Sequence, residues 1–170
     1  ALGRTVRETA GLVALPADVT DAASVAGAVE SLVQAAGPMR ACVNAAGIYP
    51  MSSLETADAA LYRRIFDINV LGTVLVTQAA VRAMEDGGAV VNFASINAFL
   101  PKPEQLLYSA AKSAVVGLTR SLAAELAPRR IRVNAVAPGP VATEGMQQVP
   151  GRLQQIASTV PLGRAAEPEE

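Results

Sequence analysis

Three side chains in this sequence have the types and spacing of an acid/base set. They are the hydroxyl of Ser95, the phenol of Tyr108 thirteen residues on, and the amine of Lys112 four residues further. The run YSAAKSAVVGLTRSLAAEL has no internal proline and is rich in Ala and Leu, which predicts a long helix. On a helix, positions i and i+4 share a face about 6 Å apart along the axis. A free phenol titrates near pH ~10, and lowering that to about 7 takes roughly 4 kcal/mol of preference for the phenolate. An ammonium about 4 Å away, at an effective dielectric near ~20, supplies about that much. The pair is therefore expected to form a general acid/base poised near neutrality. Ser95 closes a buried strand and could donate a hydrogen bond to a carbonyl oxygen as it gains charge.

The stretches VVNFASI before Ser95, LYSAAKSAVVGLTRSLAAEL and IRVNAVAPGPVAT carry a resemblance, as do DVTD at 18–21, VNAAG at 43–47 and FDINVLGT at 66–73. In order and spacing these six motifs resemble the classical short-chain dehydrogenase/reductase family along nearly the whole chain. The resemblance implies interconversion of an alcohol and a ketone by hydride transfer, with NAD or NADP as cofactor. It implies a catalytic set of Ser95, Tyr108, Lys112 and Asn69. Tyr108 would move the proton, Lys112 would depress its pKa and hold the ribose, and Asn69 would hold a helix distortion and relay protons to the lysine.

For the cofactor the resemblance implies Asp18 and Val19 at the adenine, and Asn44, Ala45, Ala46 and Gly47 beside the ribose and adenine. Tyr108 and Lys112 contact it too, and Pro138, Gly139, Val141 and Thr143 meet the nicotinamide end. Bland alternatives stand beside several of these: Asp18 could simply share helix capping with Thr20 and Asp21, and Asn44 could only stabilise a turn. Ala45 stands where the family usually has a second Asn. The long helix expected near 55–86 and the helix at 107–127 are, by the same resemblance, the surfaces of a homodimer or homotetramer. Ala110, Ala111, Ala114 and Gly117 would permit close packing there.

Composition sets outer bounds. The chain has 170 residues, 51% hydrophobic and 17% charged, with a net charge of −1. This suits one soluble α/β domain and offers no basic footprint for nucleic acid. No uninterrupted apolar run suggests a membrane span and no signal peptide opens the chain, so a cytoplasmic location and a small-molecule carbonyl or alcohol substrate are expected. Cys42 is the single cysteine and there is no histidine. That excludes an internal disulfide and a Ser–His–Asp triad, and makes a metal site of the usual ligands improbable.

Read in order, the chain offers a helix end closed by Gly11, a strand LVALPADV, and a helix begun by Thr20 or Asp21 and closed at Gly37-Pro38. The strand ACVNAAG, the 55–86 helix with Gly72 at a close approach, the strand AVVNFAS, the Tyr108 helix and the strand IRVNAVAPG follow. This alternation predicts a doubly wound, Rossmann-like parallel sheet. The stretch 140–162 reads as a loop with a short helix, a candidate lid.

Both ends of the sheet are expected to be incomplete, making residues 1–170 a single partial Rossmann-like domain. No glycines are spaced G-x-G, so the dinucleotide fingerprint is missing. By the family's strand order, other strands stand between Leu12–Asp18 and Ala41–Asn44. The structure should show a gap or a collapse there, with a long apolar edge at Ala41–Asn44. The alternative to an enzyme is a truncated, non-catalytic segment that pairs with a homologous chain, and the 170 residues alone are not expected to bind NAD(P) tightly.

Overall fold

The computed structural model describes residues 2–3, 13–143, 151, 155 and 157–170. Gly11, Leu12 and eleven of the 23 residues of the candidate lid lie outside them, while Leu2–Gly3, within the stretch read as a helix end, is strand. The chain divides into two compact units, 1–136 and 137–170.

The first unit holds two parallel sheets. Strands β1 (Leu2–Gly3) and β2 (Leu15–Pro16) form a small pair, and β3 (Met39–Asn44), β4 (Met84–Phe93) and β5 (Arg132–Val136) form the main sheet in the order β3-β4-β5. Val43 is level with Val91 and Val91 with Asn134, so the strand ends that carry Asn44, Phe93 and Val136 finish on one side. Among the described residues β2 does not pair with β3. The gap is thus the outcome seen, and Val43 is 59% exposed at the edge.

Four helices follow from capping and pattern. Helix α1 (Ala22–Ala36) starts at Asp21, whose Oδ1 accepts from the Ala23 and Ser24 amides at 2.8 and 3.2 Å, and ends at Gly37 with φ 81°. Of the two N-cap candidates Asp21 is the one used. Thr20 instead donates from its amide and hydroxyl to Asp18 Oδ1 at 2.9 and 2.7 Å. Helix α4 (Leu106–Leu126) contains Tyr108 and Lys112 in its first two turns.

The expected 55–86 helix is three pieces. Helix α2 (Ala59–Phe66) is capped by Asp58, a π-helical turn covers Asp67–Leu71, and α3 (Gly72–Arg82) completes the run. The next strand begins at Met84, earlier than expected, because Met84 and Val90 both belong to the core. By length and composition alone the run Ala59–Arg82 could cross a membrane. In the fold, its buried Ile65, Asn69, Thr73, Thr77 and Ala80 face the molecule's interior.

The core lies between the sheet and α3 and α4. Cys42, Ala80, Met84, Val90, Leu126, Ile131 and Val133 form one cluster, with Val76, Val81, Leu122 and Ala123 packed against it. At about 25 cal/mol per Å² such burial is what holds the strands under the helices. Helix α1 packs alongside α3. Val19, just before α1, meets α3 at Gly72, where an added Cβ would come within 2.9 Å of Val19 Cγ2, which is the close approach expected of that glycine. Among the described residues, nothing lies within 4 Å of a Cβ added at Gly117.

In the second unit, residues 137–143 and 158–170 are loop with one isolated bridge, and Gln155 and Ala157 are helical. Val141 bridges Ala166, the Ala142 amide donates to the Ala166 carbonyl at 2.8 Å, and Arg164 grips the Glu170 carboxylate through two nitrogens at 2.6 and 2.8 Å. The Arg164 hydrogen bonds hold the Glu170 carboxyl down to about 2.

Candidate active site

The carboxyl ends of β3 and β4 and the first turns of α4 bring together Ser95, Tyr108, Lys112, Asn69 and Gly47. Ser95 is buried just beyond β4 in extended backbone (φ −163°, ψ 156°), where it caps the 3-10 turn Ile96–Ala98 by accepting from the Asn97 amide at 3.2 Å. Its hydroxyl lies beside the Tyr108 phenol and favours the ionised form of that phenol. The turn is tied to α4, with Ser113 donating to the Ala98 carbonyl at 3.2 Å.

Lys112 is almost fully buried, and its Nζ donates to the Phe93 carbonyl at 2.7 Å and lies 5.8 Å from the centre of the Tyr108 ring. Burial pulls the ammonium down to about 8. This corrects the electrostatic pairing expected of the i, i+4 spacing. Burial pushes the Tyr108 phenol above its ordinary value, the Ser95 hydroxyl pulls it back in part, and Tyr49 opposes ionisation. The group that favours the phenolate here is the serine hydroxyl. The reason is positional: the ammonium is directed at a strand carbonyl, and the phenol loses water in the same half-buried setting.

Asn69 is fully buried in the π-helical turn. Its Nδ2 donates to the carbonyls of Ile48 and Ile65, each at 2.9 Å, and its own carbonyl accepts from Thr73 Oγ1 at 2.8 Å. Among the described residues its Oδ1 has no hydrogen-bond partner, and it faces Gly47, where an added Cβ would sit 2.7 Å from it and 3.6 Å from Lys112 Nζ. The π turn widens the helix by one residue and turns this amide inward, as such turns do at functional sites.

The remaining predicted residues distribute differently. Ala45, Ala46 and Gly47 are exposed past the end of β3. The Asn44 side chain points into the core, donating to Thr77 Oγ1 at 2.8 Å and Asn92 Oδ1 at 2.9 Å, while Asn92 donates to Thr119 Oγ1 at 3.0 Å. That buried chain ties β3, β4, α3 and α4 together. Asp18 holds the turn before α1 and Val19 packs on Gly72. Pro138, Gly139, Val141 and Thr143 belong to the second unit, where the Thr143 amide donates to the Val141 carbonyl at 2.8 Å.

One residue at the site went unread in the sequence. The ring of Tyr49 stands edge-on to that of Tyr108, with centroids 6.1 Å apart and planes at 65°. Its only signal is its place two residues after the turn at Gly47.

The chain resembles known proteins along most of its length. The family model described as enoyl-(acyl carrier protein) reductase matches residues 2–170. An uncharacterized oxidoreductase of Methylorubrum extorquens is 40% identical over 93% of this chain and 65% of its own length. The galactitol 2-dehydrogenase (L-tagatose-forming) of Cereibacter sphaeroides is 40% identical over 100% of this chain and 70% of its own. The blue fluorescent protein from a metagenomic library, solved in complex with NADPH, superposes with a TM-score of 0.82 at 35% identity, covering 91% of this chain and 63% of that one. The chain thus spans just under two thirds of the length of the first of these relatives. With the parallel sheet, the Ser–Tyr–Lys grouping and these matches together, the chain belongs to the short-chain dehydrogenase/reductase family of oxidoreductases.

Proposed function

We propose that the site interconverts a ketone and a secondary alcohol with NAD or NADP, in the polypeptide where the open edge of β3 is covered. The observation that carries this reading is the Tyr108 phenol set beside the Ser95 hydroxyl, which favours its ionised form, and the buried Lys112 ammonium 5.8 Å from its ring centre. When bound, the cofactor supplies or accepts the hydride. The residues fit such a group: Ala45, Ala46 and Gly47 leave open backbone at the carboxyl end of a parallel strand, where α/β sheets take nucleotides.

In the reducing direction Tyr108 gives its proton to the substrate oxygen and Ser95 donates a hydrogen bond to that same oxygen as it gains charge. Lys112 holds the ribose hydroxyls with its amine. The Oδ1 of Asn69, next to Gly47 and Lys112, accepts a hydrogen bond from a water in the relay that returns a proton from solvent to the Tyr108 phenolate. A homodimer or homotetramer through α2, α3 and α4 belongs to the same reading.

A second reading is favoured by one observation, the unpaired β3 edge with Val43 exposed. In it, residues 1–170 are a non-catalytic segment that pairs with a homologous chain. Assaying ketone-dependent NADH and NADPH oxidation by a polypeptide in which the β3 edge is covered separates the two. Turnover that Tyr108→Phe abolishes supports the first reading, and no turnover with either cofactor leaves the second.

A further inference from the structure

Tyr49 is held in place from both sides. The carbonyl of Ile48 before it accepts from Asn69 Nδ2 at 2.9 Å. Three residues after it, Ser52 is buried and bridges the start of α4: its amide donates to the Glu104 carbonyl at 2.8 Å, its carbonyl accepts from the Leu106 amide at 3.0 Å, and its Oγ accepts from the Leu107 amide at 3.1 Å. Pro50 stiffens the span between. The stretch is therefore built onto the two elements that carry Asn69 and Tyr108. An edge-to-face pair of rings prefers one relative orientation, so Tyr49 biases how the Tyr108 phenol is presented.

The same stretch is apolar and exposed. Tyr49, Met51 and Leu54 are 42%, 57% and 87% exposed, and no charged residue occurs between Arg40 and Glu55. A substrate body resting here gains by covering carbon and finds no counter-charge. A polyhydroxylated body would lose water with few partners to replace it.

We propose that Tyr49 is a positioning and specificity residue of this site, orienting Tyr108 and walling the substrate side so that carbonyls on an apolar skeleton are favoured over polyhydroxylated ones. This rests on the ketone–alcohol reading above.

Two measurements test it, and the first needs no turnover. The chain has three tyrosines, so labelling tyrosine with 13C at Cζ gives three signals, assigned by single Tyr→Phe variants. Tyr49→Ala lets water reach Tyr108 and relieves the burial that raises it, so the Tyr108 titration should move to lower pH. An unmoved midpoint, in a variant whose thermal melt shows it folded, overturns the positioning role.

The second compares steady-state reduction of acetophenone and of a ketose by the active enzyme and its variants. The parent should favour acetophenone in kcat/KM. Tyr49→Ala should raise KM for acetophenone roughly tenfold with little change for the ketose, while Tyr49→Phe stays close to the parent. A parent that prefers the ketose, or an unchanged ratio in Tyr49→Ala, overturns the specificity role. Tyr108→Phe is run alongside. Its loss of activity combined with an unmoved Tyr49→Ala ratio refutes this inference alone, and full activity in Tyr108→Phe refutes the underlying reading.

Discussion

A Cβ built on Gly47 would stand 2.7 Å from Oδ1 of Asn69, closer than such atoms approach one another. The amide cannot simply swing away, because its nitrogen is fixed to the carbonyls of Ile48 and Ile65. Gly47→Ala should therefore destabilise the fold by about 1–3 kcal/mol, the usual cost of forcing an extra methyl into a packed place. Urea unfolding measures it. A midpoint equal to that of the parent would mean that the loop relaxes and Asn69 is not held as described.

Gly72 makes a second such contact, through Val19. Gly72→Ala places a methyl 2.9 Å from Val19 Cγ2 and should cost about 1–3 kcal/mol. Val19→Ala opens the space, so the double variant should recover much of that loss, a coupling that a mutant cycle reads directly. Additive single effects would show that the two residues do not meet.

Lys112 makes stability depend on pH with a definite sign. Its ammonium titrates near 8 in the fold against 10.5 for the ordinary side chain. The unfolded chain therefore binds more protons in that window, and the lysine's contribution rises as pH goes from 8 toward 10.5. Cys42 acts oppositely. Its thiol is raised by burial from 9.0 to about 11, so its contribution falls above pH 9. The difference in stability between the parent and Lys112→Met should consequently change between pH 8 and 9, before the thiol intervenes, in the direction that favours the parent. A pH-independent difference would show that the amine titrates normally.

The type and order of the elements were legible because each has a local physical cause. Asp21 caps α1, Gly37 takes the left-handed φ that ends it, and Cys42, Val90 and Val133 give the apolar strands that a covered sheet face requires. The grouping of Ser95 with Tyr108 and Lys112 was legible from spacing and resemblance. What spacing could not supply was direction. Four residues along a helix bring Lys112 to the side of Tyr108, but where the ammonium points depends on the Phe93 carbonyl, which arrives from another strand. The break at Asp67–Leu71 was likewise hidden inside a sequence that reads as continuous helix. Asn44 looked equally suited to a turn or a ligand, and only its partners Thr77 and Asn92, far away in sequence, direct it inward. Tyr49 lay outside every motif, since its role comes from the ring of Tyr108 across a tertiary contact.

The central claim is that the Tyr108 phenol moves the proton. Tyr108→Phe deletes one oxygen and keeps the ring that Tyr49 and Lys112 adjoin. The decisive measurement is the rate of ketone-dependent NADH and NADPH oxidation by the active enzyme and by this variant, with cofactor affinity determined in parallel. The account predicts that turnover falls by roughly a hundredfold or more, the range of a lost general acid, while the cofactor dissociation constant stays within about twofold. Activity within about threefold of the parent would contradict it, because the proton would then come from another group.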